Sequence, residues 1–247
     1  MYLTEPRLTD IVMKQVHYKF NAYTGVFTAL MVMQIIGVLL AFNAGGGSYG
    51  SSSLEVSWTA ASGDMPVILT LIWAFSMGVL LTTTAYRNDA FAFVSNRLSH
   101  HLSSFGFLLA VSGIGGVTAV FAGSIVKFIS MFRSQPVLIE SWGVLGAPME
   151  YFTQLSTAIL YTILLASFGY GIGSFIQRSK LVIPILIIFL FVLPFFAGIF
   201  AFGFIEKLVA FYGTETYFFT FLLKVVVTVI GIFGIAVYLT DKLEVRK

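Results

Sequence analysis

The 247-residue sequence contains no cysteine. Disulfides, thiolate catalysis, covalent heme attachment and cysteine-based zinc sites are therefore excluded. Charge is scarce. Asp, Glu, Lys and Arg make up 10% of the chain, against about 25% in soluble domains. Hydrophobic residues make up 58%, and the mean hydropathy is +0.94. A chain so poor in charge and so rich in apolar residues is an integral membrane protein with most of its length in the bilayer. The net charge of +3 reads as the cytoplasmic bias of a membrane protein rather than as a nucleic-acid surface.

Further absences narrow the function. The first 20 residues, "MYLTEPRLTDIVMKQVHYKF", lack a continuous apolar core, so no cleavable signal peptide is expected. No H-E-x-x-H or P-loop pattern occurs, so neither a metalloprotease site nor a nucleotide site is expected in this chain. The spans carry almost no ionisable group. The first five have none at their centres, and Lys224 lies about six residues into the sixth, where it can snorkel toward the surface. A proton-coupled carrier is disfavoured, since no buried carboxylate is in view. His100 and His101 are adjacent, and adjacent helical side chains diverge by about 100°, so they do not form a metal pair. No internal repeat of the kind found in many secondary transporters is visible.

What is present is a series of apolar runs long enough to span. Six are expected: 22–43, 66–85, 105–130, 151–176, 181–205 and 218–239. In lipid such runs are helices, because backbone groups must be satisfied within the segment. The expected fold is thus an all-α membrane protein, one transmembrane domain over 1–247. Ten basic residues fall on the side of the two termini: Arg7, Lys14, Lys19, Arg87, Arg97, Arg178, Lys180, Lys242, Arg246 and Lys247. Four fall on the other: Lys127, Arg133, Lys207 and Lys224. Both termini are therefore expected in the cytoplasm. The glycine clusters "GIGG" at 113–116 and "GYGIG" at 169–173 read as close helix packing. Pro184 and Pro194 are expected to bend the fifth span. The outer connection 44–65, with "AGGGSYGSSS", reads as flexible, and Trp142 in the next one suits an interfacial anchor. The third, 206–218, is half apolar and is expected to dip back toward the membrane.

Two amphipathic elements lie on the cytoplasmic side. Within residues 1–20, Leu8, Ile11, Val12 and Val16 share a face while Arg7, Asp10, Lys14 and His17 fall largely opposite, the pattern of an interfacial helix. In "YRNDAFAFVSNRLSHHLSS", residues 86–104, Asn88 and Asp89 offer a helix N-cap, and Phe91, Val94, Leu98 and Leu102 recur at helical spacing. This second helix, about 88–103, either rests on lipid or docks into a groove of a soluble partner.

The arrangement resembles the permease subunit of a type-2 ABC exporter, also called type V, and is similar to small Gram-positive bacterial permeases of that kind. The resemblance covers nearly the whole chain: a cytoplasmic amphipathic helix, six spans, a long inner loop after span two, a very short one after span four, and a partly apolar outer segment before span six. It implies that 88–103 is a coupling helix seated on the ATP-binding subunit, with Asp89, Phe91, Val94, Arg97, Leu98 and His101 as contacts. It implies a connecting role for the N-terminal helix. It further implies two copies of a separate ATPase that bind ATP and Mg, a second permease that is identical or related, no cofactor on this chain, and a bacterial plasma-membrane location. The expected activity is transport rather than catalysis. The cargo is an amphipathic peptide, lipid-linked molecule or toxin, since the Phe-rich interior offers no counter-ion. The rival readings are a secondary carrier or channel, and the substrate-binding component of an energy-coupled importer.

Overall fold

Long apolar runs without internal breakers become helices. The computed structural model describes residues 7–42, 47–51, 54–61, 63–83, 86, 97–132, 137–139, 147–178, 206–207 and 209–241. Helix α1 is Leu8–Ala22 and α2 is Thr24–Ala41. Tyr23, with φ −108° and ψ 42°, breaks the helical path between them. Helix α3, Asp64–Thr82, has acidic Asp64 in its first turn and stops at extended Thr83. Helix α4 is Arg97–Ser130, α5 is Pro148–Arg178 and α6 is Phe218–Asp241.

Among the described residues five helices, α2 to α6, are long and apolar enough to cross a membrane, which gives the chain the character of a multi-pass membrane protein. The span expected at 181–205, with its two prolines, lies outside the described residues. So do Asp89, Phe91 and Val94 of the expected coupling helix.

Helices α3, α4 and α5 pack against one another at the centre. Helix α2 flanks α3 and α4, and α6 flanks α5 and α4. The α3–α5 contact is backbone to backbone. A Cβ on Gly78 would collide with the carbonyl oxygen of Ala166, and one on Gly169 with that of Phe75. Gly115 and Gly116 likewise face the Trp73 ring and the Ile159 backbone. Both glycine clusters thus serve close packing, and "GYGIG" lies inside uninterrupted α5. Buried hydroxyls in this core bond carbonyls of their own helix, as Thr70 does to Pro66 and Thr162 to Ala158.

Two findings correct the sequence reading. The connection 44–65, expected to be flexible, and the connection between α4 and α5 contribute strands to a small sheet of order β1–β2–β3. Strand β1, Gly47–Ser51, pairs antiparallel with β2, Leu54–Ala61, and β2 pairs parallel with β3, Val137–Ile139. The spans are helical as expected, and the sheet is a small addition among their connections. The second correction concerns α4. A boundary was expected between a loop helix ending near 103 and a span starting at 105. Instead one helix of 34 residues runs through, about 51 Å at 1.5 Å per residue and longer than a hydrocarbon core of roughly 30 Å. No proline or glycine interrupts "RLSHHLSSF", and Ser103 and Ser104 fold back onto the His100 carbonyl without breaking the helix.

Candidate functional site

Helix α1 packs against the first turns of α4. The face it presents differs from the expected one. Ile11, Val12, Val16 and Phe20 are half-buried, and Leu8 is exposed. Between them sit two polar side chains, Gln15 at 3% exposure and Lys19 at 2%. Lys19 belongs to the protein interior, not to the solvated cations that set orientation. The amine of Lys19 donates to Ser103 Oγ at 2.9 Å and to Ser104 Oγ at 2.8 Å. Each serine hydroxyl in turn donates to the His100 carbonyl oxygen at 2.9 Å.

The network continues into α5. Ser104 reaches the Tyr170 hydroxyl, which shares a 2.7 Å bond with His101 Nδ1. Lys19 thus joins α1 to α4 through Ser103 and Ser104, and His101 joins α4 to α5 through Tyr170. Aromatic rings enclose it. Tyr170 stacks on Phe233 at 4.7 Å, Phe105 meets Phe233 at 4.6 Å, and Phe20 meets fully buried Phe107 at 5.1 Å. No carboxylate among the described residues pairs with Lys19, and burial pushes its amine from the ordinary 10.5 down to about 7. Among the described residues the Gln15 amide, one turn before Lys19, has a partner for neither its oxygen nor its nitrogen.

The expected partner contacts divide accordingly. Leu98 is 43% exposed on the first turn of α4, and Leu102, one turn on, is also exposed. The two share an outward apolar face. His101 does not. At 6% exposure and bonded to Tyr170, it is a buried connector, which corrects its expected place on a partner-facing surface. Arg97 opens α4.

Two further polar groups sit in the apolar body. Gln34 Nε2 reaches Thr118 Oγ1 at 2.8 Å, Thr70 Oγ1 at 3.3 Å and the Gly115 carbonyl at 3.4 Å, tying α2 to α3 and α4. At the end opposite α1, the chain folds back along α6. Lys224 forms an ion pair with Glu215, donates to the Phe211 carbonyl at 3.0 Å and lies 4.0 Å from the Phe211 ring centroid. Tyr212 reaches Thr228 at 2.8 Å and accepts from Tyr161 at 2.9 Å through its carbonyl. Lys224 lies about 9 Å into α6 at 1.5 Å per residue, so residues 209–217 descend beside it.

A search for charged spans overlooks this chemistry. Lys19 precedes the first span, and Gln34 is neutral. The available signal was positional: residues 11, 12, 15, 16, 19 and 20 form one helical face, with Gln15 and Lys19 in its middle. Among the described residues no group of three or more His, Cys, Asp or Glu gathers as a metal site. No family model matches the chain, and no curated protein and no solved structure matches it.

Proposed function

We propose that the chain is the membrane subunit of a type-2 (type V) ABC exporter, working with two copies of a separate ATP-binding subunit and a second permease. In this reading the end carrying α1 faces the cytoplasm of a bacterial cell. The observation that carries the proposal is mechanical. The first turns of α4 are continuous with a spanning helix and are bonded to α1 and α5 through Lys19, Ser103, Ser104, His101 and Tyr170. A push on the stretch leading into Arg97 is therefore delivered to three helices together. The exposed pair Leu98 and Leu102 supplies an apolar seat for the ATPase beside Asp89, Phe91, Val94 and Arg97. ATP-driven closure of two ATPases rocks the helices between two packings. ATP and Mg bind the partner, and this chain performs no chemistry. The segment 206–217 caps the outer end, and the cargo is amphipathic, in keeping with the apolar interior.

A second reading has one observation in its favour. Lys19, Ser103, Ser104, Tyr170 and His101 cluster at one junction, and a proton-coupled carrier would move charge through groups of this kind. Purification of the solubilised chain from its native membrane, with an ATPase assay on the eluate, separates the two. The ABC reading expects an ATP-binding protein that co-purifies with wild type and is lost with Phe91→Asp or Leu98→Asp. A chain that purifies without any ATPase, or mutants that keep it fully, returns the choice to the carrier.

A further inference from the structure

Lys19 is an unusual group to bury. Its amine is closed off between α1 and α4, faces no carboxylate among the described residues, and touches two hydroxyls. A neutral amine has two N–H donors, and both are used here. An ammonium has three, and among the described residues no third acceptor is bonded to Lys19. The Gln15 side-chain amide, one turn earlier, has no hydrogen-bond partner among the described residues. The site as built therefore matches the neutral amine, and a charged one leaves a buried N–H unsatisfied.

We propose that Lys19 is a proton-sensitive latch: with its amine neutral, α1 lies docked on the first turns of α4, and protonation of the amine releases α1 from them. The inference does not depend on the ATPase reading. It concerns only the α1–α4 contact.

The direction follows from linkage. In the released state the amine titrates near its ordinary 10.5, and in the docked state near 7. Between these values the released state holds more protons, so docking strengthens as pH rises through the window. Below about 7 the amine is charged in both states and the docking penalty is fully present. The docked amine is thus half-titrated close to neutral pH, where a small change in pH changes the population of α1.

Other titratable groups face this junction. His100 and His101 come from α4, Tyr170 from α5, and Tyr23, in contact with Tyr86, closes the end of α1. Lys14, His17 and Asp10 lie on the exposed side of α1. A test must isolate Lys19 from all of these, and Lys19→Met does so because every other group remains.

The absence of cysteine allows clean labelling. Met13 on α1, 70% exposed, and Phe175 on α5, 42% exposed, are replaced by cysteine and spin-labelled in the full chain in lipid nanodiscs. Pulsed EPR then gives docked and released populations between pH 6 and 9. The docked-to-released ratio is expected to rise roughly thirtyfold from pH 6 to 8.5, as the two titration points require. Lys19→Met is expected to stay docked throughout, and Lys19→Arg, charged throughout, to stay released. A wild-type distance that ignores pH overturns the latch, as does a pH response that persists in Lys19→Met.

Discussion

Lys19 and Lys224 are the same side chain in two opposite settings. Lys19 is closed into the protein with two serine hydroxyls and, among the described residues, no acid. Lys224 sits at the far end, partly exposed, with Glu215, a backbone carbonyl and an aromatic face around it. At Lys19 the cost of burial falls on the amine, whose pKa drops. At Lys224 the effect falls on the partner: the hydrogen bond from Lys224 holds the Glu215 carboxyl below its usual range. The first lysine makes its contact respond near neutral pH. The second makes a contact that weakens only in acid, as pH falls through the carboxylate range and Glu215 takes up a proton. Burial and partner, rather than residue type, decide which lysine can switch.

The comparison assumes a rigid frame between the two ends, and the largest expected effect comes from breaking it. Gly169→Leu drives a side chain into the Phe75 carbonyl. Overpacking of this kind costs about 1–3 kcal/mol and more where backbone must move. Thermal melting with size-exclusion chromatography should show a large loss of stability or of monodispersity, larger than that of either lysine change. If Gly169→Leu is tolerated, the frame is soft and the two ends cannot be compared as separate devices.

Lys19→Met comes next. Removing a buried charge without a partner is expected to stabilise the protein near pH 6 by an amount on the order of a few kcal/mol, at about 1.4 kcal/mol per pKa unit. The gain should shrink as pH rises toward 9, which melting curves across pH will show. Ser104→Ala is smaller. It removes an acceptor from Lys19 and a partner from Tyr170, with an expected loss of about 1–3 kcal/mol. In the Lys19→Met background part of that loss should vanish, and a double-mutant cycle measures the coupling. Glu215→Gln has the smallest effect. A partly exposed ion pair is screened by salt, so any shift in melting temperature should fade in concentrated salt and in acid.

How much of this was legible beforehand differs between the two ends. Apolar run length placed the helices. The runs expected at 66–85 and 218–239 are close to Asp64–Thr82 and Phe218–Asp241. Lys224 stood out because its neighbours are all apolar. Lys19 did not, because it precedes the first span and was counted as a solvated cation. Its burial is a tertiary fact, made by Ser103 and Ser104, 84 and 85 residues away. His101 was placed on a surface for the same reason, since local spacing does not reveal Tyr170. The β1–β2 hairpin was hidden by the glycine and serine around it, although "LEVSWTAA" alternates apolar and polar residues as a strand does.

The central claim is that Lys19 is buried as an amine able to lose its proton near neutrality. Carbon-13 NMR of lysine-labelled protein in nanodiscs, with Lys19→Met to assign the signal, reads that proton directly. The account requires a Lys19 titration midpoint close to 7. A midpoint near 10.5, where a solvated lysine titrates, would contradict it and leave α1 as a helix resting on the membrane.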